Sequence, residues 1–366
     1  MRTALCSAVL VGLGAAHLAL ADLDLPVLGR IRWERPCATI PFVPPWPSGG
    51  LSGMVTVPFE GKIIVAGGFI PAGDENKKRT SQWVHRYDPA TKQWTRLSDM
   101  PIRREYLRGA VCGKAIYIMG GACQLPGEDP EYAPFADCIK LVPEGNDFRA
   151  EPIAPLSDPR THMAAGAVGP YIVVAGGNHY KLPDGYTKDT LRDLTEVFDT
   201  RHPEKGWRIG KPIPSGPAGW QASAVVGDRL YVFGAQVLDA KGNWGTLADA
   251  WSYDPARDKW ERLPDLPFDI SAMGAAYADR YVFLLGGARV SNAPEAQGGW
   301  IWGLPIVVYD TQTRKYFTVA GRVPTPGDIF GDVGVIFIGD TIYVVGGEGP
   351  GGTHYNWFRV GRFKLR

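Results

Sequence analysis

One pattern of hydrophobic and polar positions recurs six times along the chain. A continuous apolar run, such as residues 63–66, ends in a pair of small residues, and an aromatic–aspartate step usually follows. The apolar runs do not alternate with polar residues, which predicts short strands covered on both faces. The small pairs lie 52 to 60 residues apart, at Gly67-Gly68, Gly120-Gly121, Gly176-Gly177, Gly234-Ala235, Gly286-Gly287 and Gly346-Gly347.

Each repeat predicts one small sheet of four strands. The apolar run is its second strand, and Asp-Pro-Ala-Thr at 88–91 predicts the turn between its third and fourth strands. A repeat near 50 residues with four short strands is typical of a β-propeller. The predicted fold class is therefore all-β, a propeller of six blades over residues 51–366.

The N-terminal segment is the candidate for a strand that the sixth repeat lacks. That repeat has predicted strands at about 332–346 and 357–364, with no fourth strand after them. Arg32-Trp33-Glu34-Arg35 repeats the pattern of Lys259-Trp260-Glu261-Arg262, the fourth strand of another repeat. We expect residues 29–36 to pair with the last strand and close the ring. Residues 22–50 then form this strand and its connector.

The first 21 residues are typical of a secretory signal peptide. Arg2 precedes an apolar stretch at 4–20, and Ala19-Leu20-Ala21 fits a cleavage site before Asp22. The stretch is too short and too rich in small residues for a good membrane anchor. We expect a secreted or periplasmic protein with no membrane span in the mature chain.

Charge and cysteine content narrow the possible partners. The chain has 39 Lys and Arg against 38 Asp and Glu, which gives no reason to expect nucleic acid or an anionic membrane as a partner. Cys123 and Cys138 flank one loop and are predicted to form a disulfide, whereas Cys37 and Cys112 are expected to be free, buried thiols. No Cys-x-x-Cys pattern occurs, so neither a metal nor another cofactor is predicted.

The repeats resemble the kelch repeat over nearly the whole mature chain. The resemblance rests on the glycine pairs and on four aromatic–aspartate steps, each followed by a further aromatic residue: Tyr87-Asp88 with Trp94, Phe198-Asp199 with Trp207, Tyr253-Asp254 with Trp260, and Tyr309-Asp310 with Tyr316. A kelch domain of this length behind a signal peptide is also similar to the bacterial sialic acid mutarotases (N-acetylneuraminate epimerases), as is the Gly-Gly-Glu loop at 346–348. This resemblance implies a carbohydrate isomerase that interconverts sialic acid anomers.

Function in such a ring is expected at the channel mouth, which two sets of loops form. One set precedes the first strand of each repeat, and the other follows the small pair. Arginines there suit a carboxylate, and aromatic faces suit a sugar ring. The candidate ligand-binding residues are Arg104, Tyr106, Arg160, His162, Trp220, Gln221, Asn178, His179 and Arg289.

Glu348 is the candidate catalytic residue at this mouth. Opening a sugar hemiketal requires an acid and a base, and Glu348 could take the proton while Arg104 or Arg160 holds the ligand carboxylate. The ligand is thus expected to be a small acid or sugar.

Two other functions stay open. A non-catalytic ring could bind a protein or peptide through the same mouth. A copper oxidase of the galactose oxidase type would need two Tyr and two His ligands, for which His162, His179 and His354 are available.

Overall fold

A computed structural model describes residues 24–43, 50–71, 78–124, 132–180, 185–291, 299–302, 305–325, 331–350 and 353–366. These residues form an all-β propeller, which confirms the predicted fold class at that level. The predicted signal peptide at 1–21 lies outside the described residues and stays a prediction.

Four sheets each contain four antiparallel strands that follow one another in chain order. The first sheet contains Val55–Phe59, Lys62–Ala66, Val84–Asp88 and Gln93–Arg96. The second contains Arg108–Cys112, Ala115–Met119, Cys138–Glu144 and Asp147–Ile153. The third contains Ala164–Val168, Tyr171–Ala175, Thr195–Asp199 and Trp207–Gly210. The fourth contains Ala222–Val226, Arg229–Leu238, Trp244–Asp254 and Lys259–Arg262.

The remaining large sheet has nine strands and consists of two four-stranded ladders joined side by side. One ladder contains Gly274–Ala278, Tyr281–Leu285, Val307–Asp310 and Lys315–Ala320. The other contains Gly334–Ile338, Thr341–Val345, Trp357–Leu365 and Val27–Trp33. Ala38–Thr39 is the ninth strand and pairs with Trp357–Leu365.

The N-terminal strand connects these two ladders. Val27–Trp33 runs antiparallel to Trp357–Leu365, with Gly29 opposite Leu365 and Trp33 opposite Gly361. The predicted pairing of the N-terminal segment with the last strand is thus confirmed, although the strand ends at Trp33 rather than at residue 36. Its other edge runs parallel to Lys315–Ala320. Val27–Trp33 therefore pairs with a strand of each of the two ladders in this sheet.

The first strands of the ladders surround the axis. Each contacts the first strand of the next ladder, and Gly334–Ile338 contacts Val55–Phe59 to complete the cycle. The apolar core lies between neighbouring ladders, where Phe198, Tyr253 and Tyr309 of the aromatic–aspartate steps are at most 1% exposed. These repeat residues are therefore scaffold.

Short hairpins extend the ladders beyond the small pairs. They pair Phe69–Pro71 with Lys78–Thr80, Ala122–Gln124 with Tyr132–Pro134, Ala288–Val290 with Trp300–Trp302, and Glu348–Gly349 with Thr353–His354. In the fourth sheet the second and third strands continue through this region past an irregularity between Phe233 and Ala235. Two 3-10 helices occur, Lys188–Thr190 and Pro203–Lys205. Within the described ranges, no helix has the length and apolar character needed to cross a membrane.

The predicted disulfide is wrong, because Cys123 and Cys138 are buried thiols that are not bonded to each other. Cys138 lies opposite Met119 in the second sheet. Cys123 follows Met119 by four residues and lies in the hairpin beyond the glycine pair, away from Cys138 in the ladder. Burial raises the pKa of the Cys138 thiol to about 12. Cys37 and Cys112 are free thiols as expected, but both are half-buried rather than buried.

Candidate functional site

A closed ring of backbone hydrogen bonds surrounds the axis at the mouth. Its members lie two positions before the first strand of each ladder: Gly53, Tyr106, His162, Trp220, Ala272 and Asp332. Each N–H donates to the carbonyl of the preceding member, at N–O distances of 2.7 to 3.4 Å. All six have left-handed backbone, with φ between 42° and 59°. The ring fixes these side chains next to one another at one level of the channel.

Three neighbouring members begin a continuous aromatic surface. The rings of Tyr106 and His162 have centroids 3.9 Å apart, and those of His162 and Trp220 are 4.2 Å apart. Tyr186 and Trp244 extend this surface, at 5.5 and 5.7 Å from Trp220. We call these five residues the aromatic wall. His162 and Trp220 are only 2% and 9% exposed, so Tyr106, Tyr186 and Trp244 are the half-buried members that the apolar face of a sugar ring could reach.

Asp332 forms a carboxyl pair with Glu348. Backbone hydrogen bonds in both directions between Gly331 and Glu348, at 2.7 and 2.8 Å, hold Glu348 beside Asp332. Burial together with the Glu348 charge raises the pKa of Asp332 well above its usual range. The opposing effect of the Arg108 charge is smaller than either. The surroundings therefore favour the neutral form of the Asp332 carboxyl group.

Glu348 is held by neighbours from other parts of the chain. Its Oε2 accepts hydrogen bonds from the Tyr106 hydroxyl at 3.1 Å and from Ser52 Oγ at 3.3 Å. Ser52 Oγ also lies 2.8 Å from Nδ1 of His354, and both Ser52 and His354 are buried. Burial, with the Glu348 charge as the next cause, raises the pKa of Tyr106 well above its ordinary value, so its hydroxyl stays a donor.

A cavity of about 140 Å³ continues below this level and is lined by Arg108, Gln221 and Asp332 among others. Arg108 Nε donates to the Met163 carbonyl at 2.6 Å. Gln221 is only 3% exposed, and its Nε2 donates to the Ala218 carbonyl at 3.1 Å. Its Oε1 has no hydrogen-bond partner among the residues that the structure describes. Gln221 thus holds a buried, unsatisfied acceptor at the edge of the cavity.

Arg104 and Arg160 do not line the mouth, contrary to the expectation for a carboxylate site. Arg104 is 1% exposed and donates to the carbonyls of Gly120 and Asp137 at 3.2 and 2.6 Å. Arg160 is fully buried, bonds two backbone carbonyls and forms an ion pair with Glu196. Both precede a ring member by two residues, where the side chain points between neighbouring sheets. Their role is structural.

The other predicted residues fall into three groups. Tyr106, His162, Trp220, Gln221 and Glu348 meet at the mouth or the cavity beneath it. Asn178 is buried behind them, with its amide nitrogen 3.0 Å from His162 Nδ1. His179 and Arg289 instead contact acidic residues, Asp158 at 2.8 Å and Asp269 at 3.2 Å.

The histidines named for a copper site have separate partners. His162 lies beside Asn178, His179 beside Asp158, and His354 beside Ser52. In the part of the chain that the structure describes, no three His, Cys, Asp or Glu side chains are placed to hold a metal ion.

Asp332, Ser52 and Arg108 belong to the site but do not follow from the sequence analysis. A signal for Asp332 exists, because it occupies the position of Tyr106, His162 and Trp220 when the repeats are aligned on their first strands. Ser52 and Arg108 have no comparable signal, since their roles depend on contacts with Glu348 and the cavity.

Comparisons with known proteins agree with this architecture. A family model described as "Kelch motif" matches residues 50–101. Kelch-like protein 34 from Homo sapiens is 28% identical over 62% of this chain, and Kelch-like protein terF from Aspergillus terreus is 24% identical over 64%. An N-acetylneuraminate epimerase from Haemophilus influenzae is 30% identical over 27% of the chain. These alignments span 33%, 49% and 27% of the respective relatives.

A solved structure entitled "Structure of YjhT" has a similar fold. It superposes with a TM-score of 0.64 over 88% of this chain and 99% of that chain, at 14% sequence identity. This similarity concerns the fold alone.

Proposed function

Since the chain is a kelch-repeat propeller that resembles the sialic acid mutarotases, we propose that its mouth binds a small cyclic sugar or sugar acid and interconverts the anomers. The observation that carries the proposal is the carboxyl pair beside the aromatic wall, in which Glu348 accepts a hydrogen bond from Tyr106 and the pKa of Asp332 is raised by burial and by the Glu348 charge. We further propose that the protein acts outside the cytoplasm, in keeping with the secretory pattern of its first 21 residues.

The carboxyl pair supplies both proton transfers that the reaction needs. The Glu348 carboxylate takes the proton of the anomeric hydroxyl, while the Asp332 carboxyl gives its proton to the ring oxygen. The bond between the anomeric carbon and the ring oxygen breaks, and a carbonyl forms at the anomeric carbon. After rotation about the adjacent carbon–carbon bond, the ring closes on the other face and both protons return. The aromatic wall binds the sugar by stacking and takes no part in the proton transfers.

Replacing Glu348 by glutamine tests this function. Glu348→Gln removes the base but keeps an oxygen that can accept from Tyr106 and Ser52, so we expect anomer exchange to fall by about 100-fold while binding persists. Exchange spectroscopy by NMR on freshly dissolved sugars measures the rate. Glu204→Gln, at an exposed glutamate in the 3-10 helix Pro203–Lys205, is the matched control. Unchanged exchange in Glu348→Gln, with exchange present in the wild type, contradicts the proposal.

We also infer that the ring has six blades, with the nine-stranded sheet counted as two. The closed cycle of contacts among the first strands supports this count, and so does the ring of backbone hydrogen bonds, which has one member for each repeat. An experimental structure with another number of blades contradicts it.

A peptide-binding ring is the second candidate function. It is favoured by the alignments with kelch-like proteins, which reach 70% of the chain, whereas the epimerase alignment covers 27%. Selection from a displayed peptide library tests this function. A peptide whose binding is lost in Trp244→Ala, together with no exchange for any sugar, would replace the mutarotase proposal.

A further inference from the structure

We propose that the mouth selects neutral sugars over the corresponding sugar acids, so that a hexose or an N-acetylated hexosamine, rather than a sialic or uronic acid, is the substrate class. This inference rests on the function proposed above. It follows from the charges and contacts of the groups that meet around the carboxyl pair.

Two acids and one arginine meet at this level among the residues that the structure describes. Burial together with the Glu348 charge raises the pKa of Asp332 well above its usual range, and the Arg108 guanidinium lines the same cavity. His162 adds no charge, since burial and the nearby Arg108 lower its pKa well below the ordinary value. A ligand carboxylate would add a third acid beside Asp332 and Glu348, with Arg108 as the shared cation.

Among the residues that the structure describes, the arginines predicted at the mouth have partners of their own. Arg104 and Arg160 bond backbone carbonyls between the sheets, and Arg289 forms an ion pair with Asp269 at 3.2 Å. Arg108 uses Nε and Nη1 on the carbonyls of Met163 and Leu107, at 2.6 and 3.2 Å. Arg108 also lies close enough to Asp332 for its charge to lower the pKa of that carboxyl group. Turning it toward a ligand would weaken this favourable effect on Asp332.

The other polar groups suit hydroxyls and amides. The buried Gln221 Oε1, without a partner in the described residues, accepts a hydrogen bond and cannot donate one to a carboxylate. The Glu348 carboxylate is likewise an acceptor. The aromatic wall provides the apolar face that a neutral pyranose covers. The acceptors and the wall together match a ligand whose polar groups are mainly hydroxyl donors.

A matched pair of probes tests the inference. D-galactose and D-galacturonic acid share one ring and differ in the carboxylate at carbon 6, and N-acetylneuraminic acid extends the comparison. We expect calorimetry on the mature protein at pH 7 and low salt to show at least tenfold tighter binding of galactose, and NMR to show faster exchange of its anomers. Binding of either acid as tightly as galactose overturns the inference.

The variant Asp332→Asn/Glu348→Gln shows whether the carboxyl pair causes the discrimination. With both carboxyl groups replaced by amides, we expect the preference for galactose to shrink to within about twofold, whereas Glu204→Gln keeps the full preference. A preference that persists in the double variant overturns the electrostatic cause.

The outcomes separate this inference from the function on which it rests. Anomer exchange of N-acetylneuraminic acid that is lost in Glu348→Gln would leave the proposed function standing and remove the selection for neutral sugars. Exchange and binding absent for all three probes would count against both.

Discussion

At the scale of single residues, left-handed backbone at the six ring positions determines which side chains lie at the mouth. Five of the six ring positions carry a side chain in a conformation that such residues rarely adopt, and Tyr106, His162, Trp220 and Asp332 are the large or polar ones. The hydrogen bonds from ring member to ring member stabilise this conformation. Strain of this kind, held by surrounding structure, is typical of functional positions.

The raised pKa of Asp332 makes the stability of the protein depend on pH. Its pKa is raised in the folded state, so the folded protein binds more protons than the unfolded chain, and stability contributed by this group falls as the pH rises above about 4. Asp332→Asn does not titrate and should gain stability relative to the wild type with rising pH, by at most about 1.4 kcal/mol per pH unit. Urea unfolding at pH 5, 6.5 and 8 measures the difference. Asp279→Asn, at an exposed residue with φ of 54°, is the control, and a constant difference for Asp332→Asn would refute the shift.

Arg160 belongs to the scaffold, so its removal should affect folding rather than binding. Arg160→Ala leaves the buried Glu196 carboxylate without its ion-pair partner and two carbonyls without a donor, which we expect to cost about 3–5 kcal/mol of unfolding free energy. Arg103→Ala, at an exposed neighbour of Arg104, should change it by less than about 0.5 kcal/mol. A small loss in both variants, read from denaturant unfolding, would show that the buried ion pair is dispensable.

At the scale of strands and turns, the small pairs are required where the main chain leaves the second strand. A Cβ on Gly346 would lie 2.1 Å from the Leu51 carbonyl oxygen, and its φ is 60°. Gly67 has the same problem, at 2.7 Å from the Arg104 carbonyl oxygen. Close approach and left-handed backbone together exclude a side chain here.

A comparison of two glycines separates these causes. Gly339 also has a φ of 60° but nothing within 4 Å of an added Cβ, so Gly339→Ala measures the conformational cost alone, about 1 kcal/mol. Gly346→Ala adds the contact with Leu51 and should cost at least about 2 kcal/mol more. Thermal and urea unfolding of the two variants give the difference. Equal losses would mean that the backbone near Leu51 shifts freely.

The repeat pattern explains why the elements were predictable and the site only partly so. Every repeat shares the same local packing and the same packing against its neighbour. The apolar runs, the glycine pairs and the Trp33 pattern indicate this packing directly. The positions of the arginines were predicted wrongly because a shift of two residues decides whether a side chain faces the axis or the gap between sheets, as Arg104 and Tyr106 show.

The predicted disulfide was wrong because the length of a loop does not show where its ends lie in the sheet. Cys123 lies in a hairpin beyond the end of the strand that pairs with the strand of Cys138. Asp332 and Glu348 come together only through the hydrogen bonds between their two loops.

At the scale of the whole molecule, the N-terminal strand joins the two ladders that meet where the ring closes. Ile31 is 2% exposed and packs in one cluster with Phe283 and Val335, residues of both ladders. Trp33 adds a hydrogen bond from its indole to the Gly321 carbonyl at 3.1 Å. The closure therefore combines main-chain pairing with a shared apolar core.

Truncating Ile31 tests how much the closure contributes to overall stability. Ile31→Ala should lower the unfolding free energy by about 2–5 kcal/mol, as for other buried aliphatic side chains, and should keep a single cooperative transition. Arg32→Ala, on the exposed side of the same strand, should change it by less than about 0.5 kcal/mol. Calorimetry of both variants gives the values. A loss below about 1 kcal/mol for Ile31→Ala would mean that the ring is stable without this strand.

The placement of Val27–Trp33 also sets an order of events during synthesis. This strand leaves the ribosome early, but its partners are translated much later, Lys315–Ala320 about 290 residues and Trp357–Leu365 about 330 residues after it. The earlier ladders can assemble as they emerge, whereas the N-terminal segment has to wait until the partner strands are made. A nascent chain is therefore an open arc for most of its translation, and the circle becomes complete in one late step near its end.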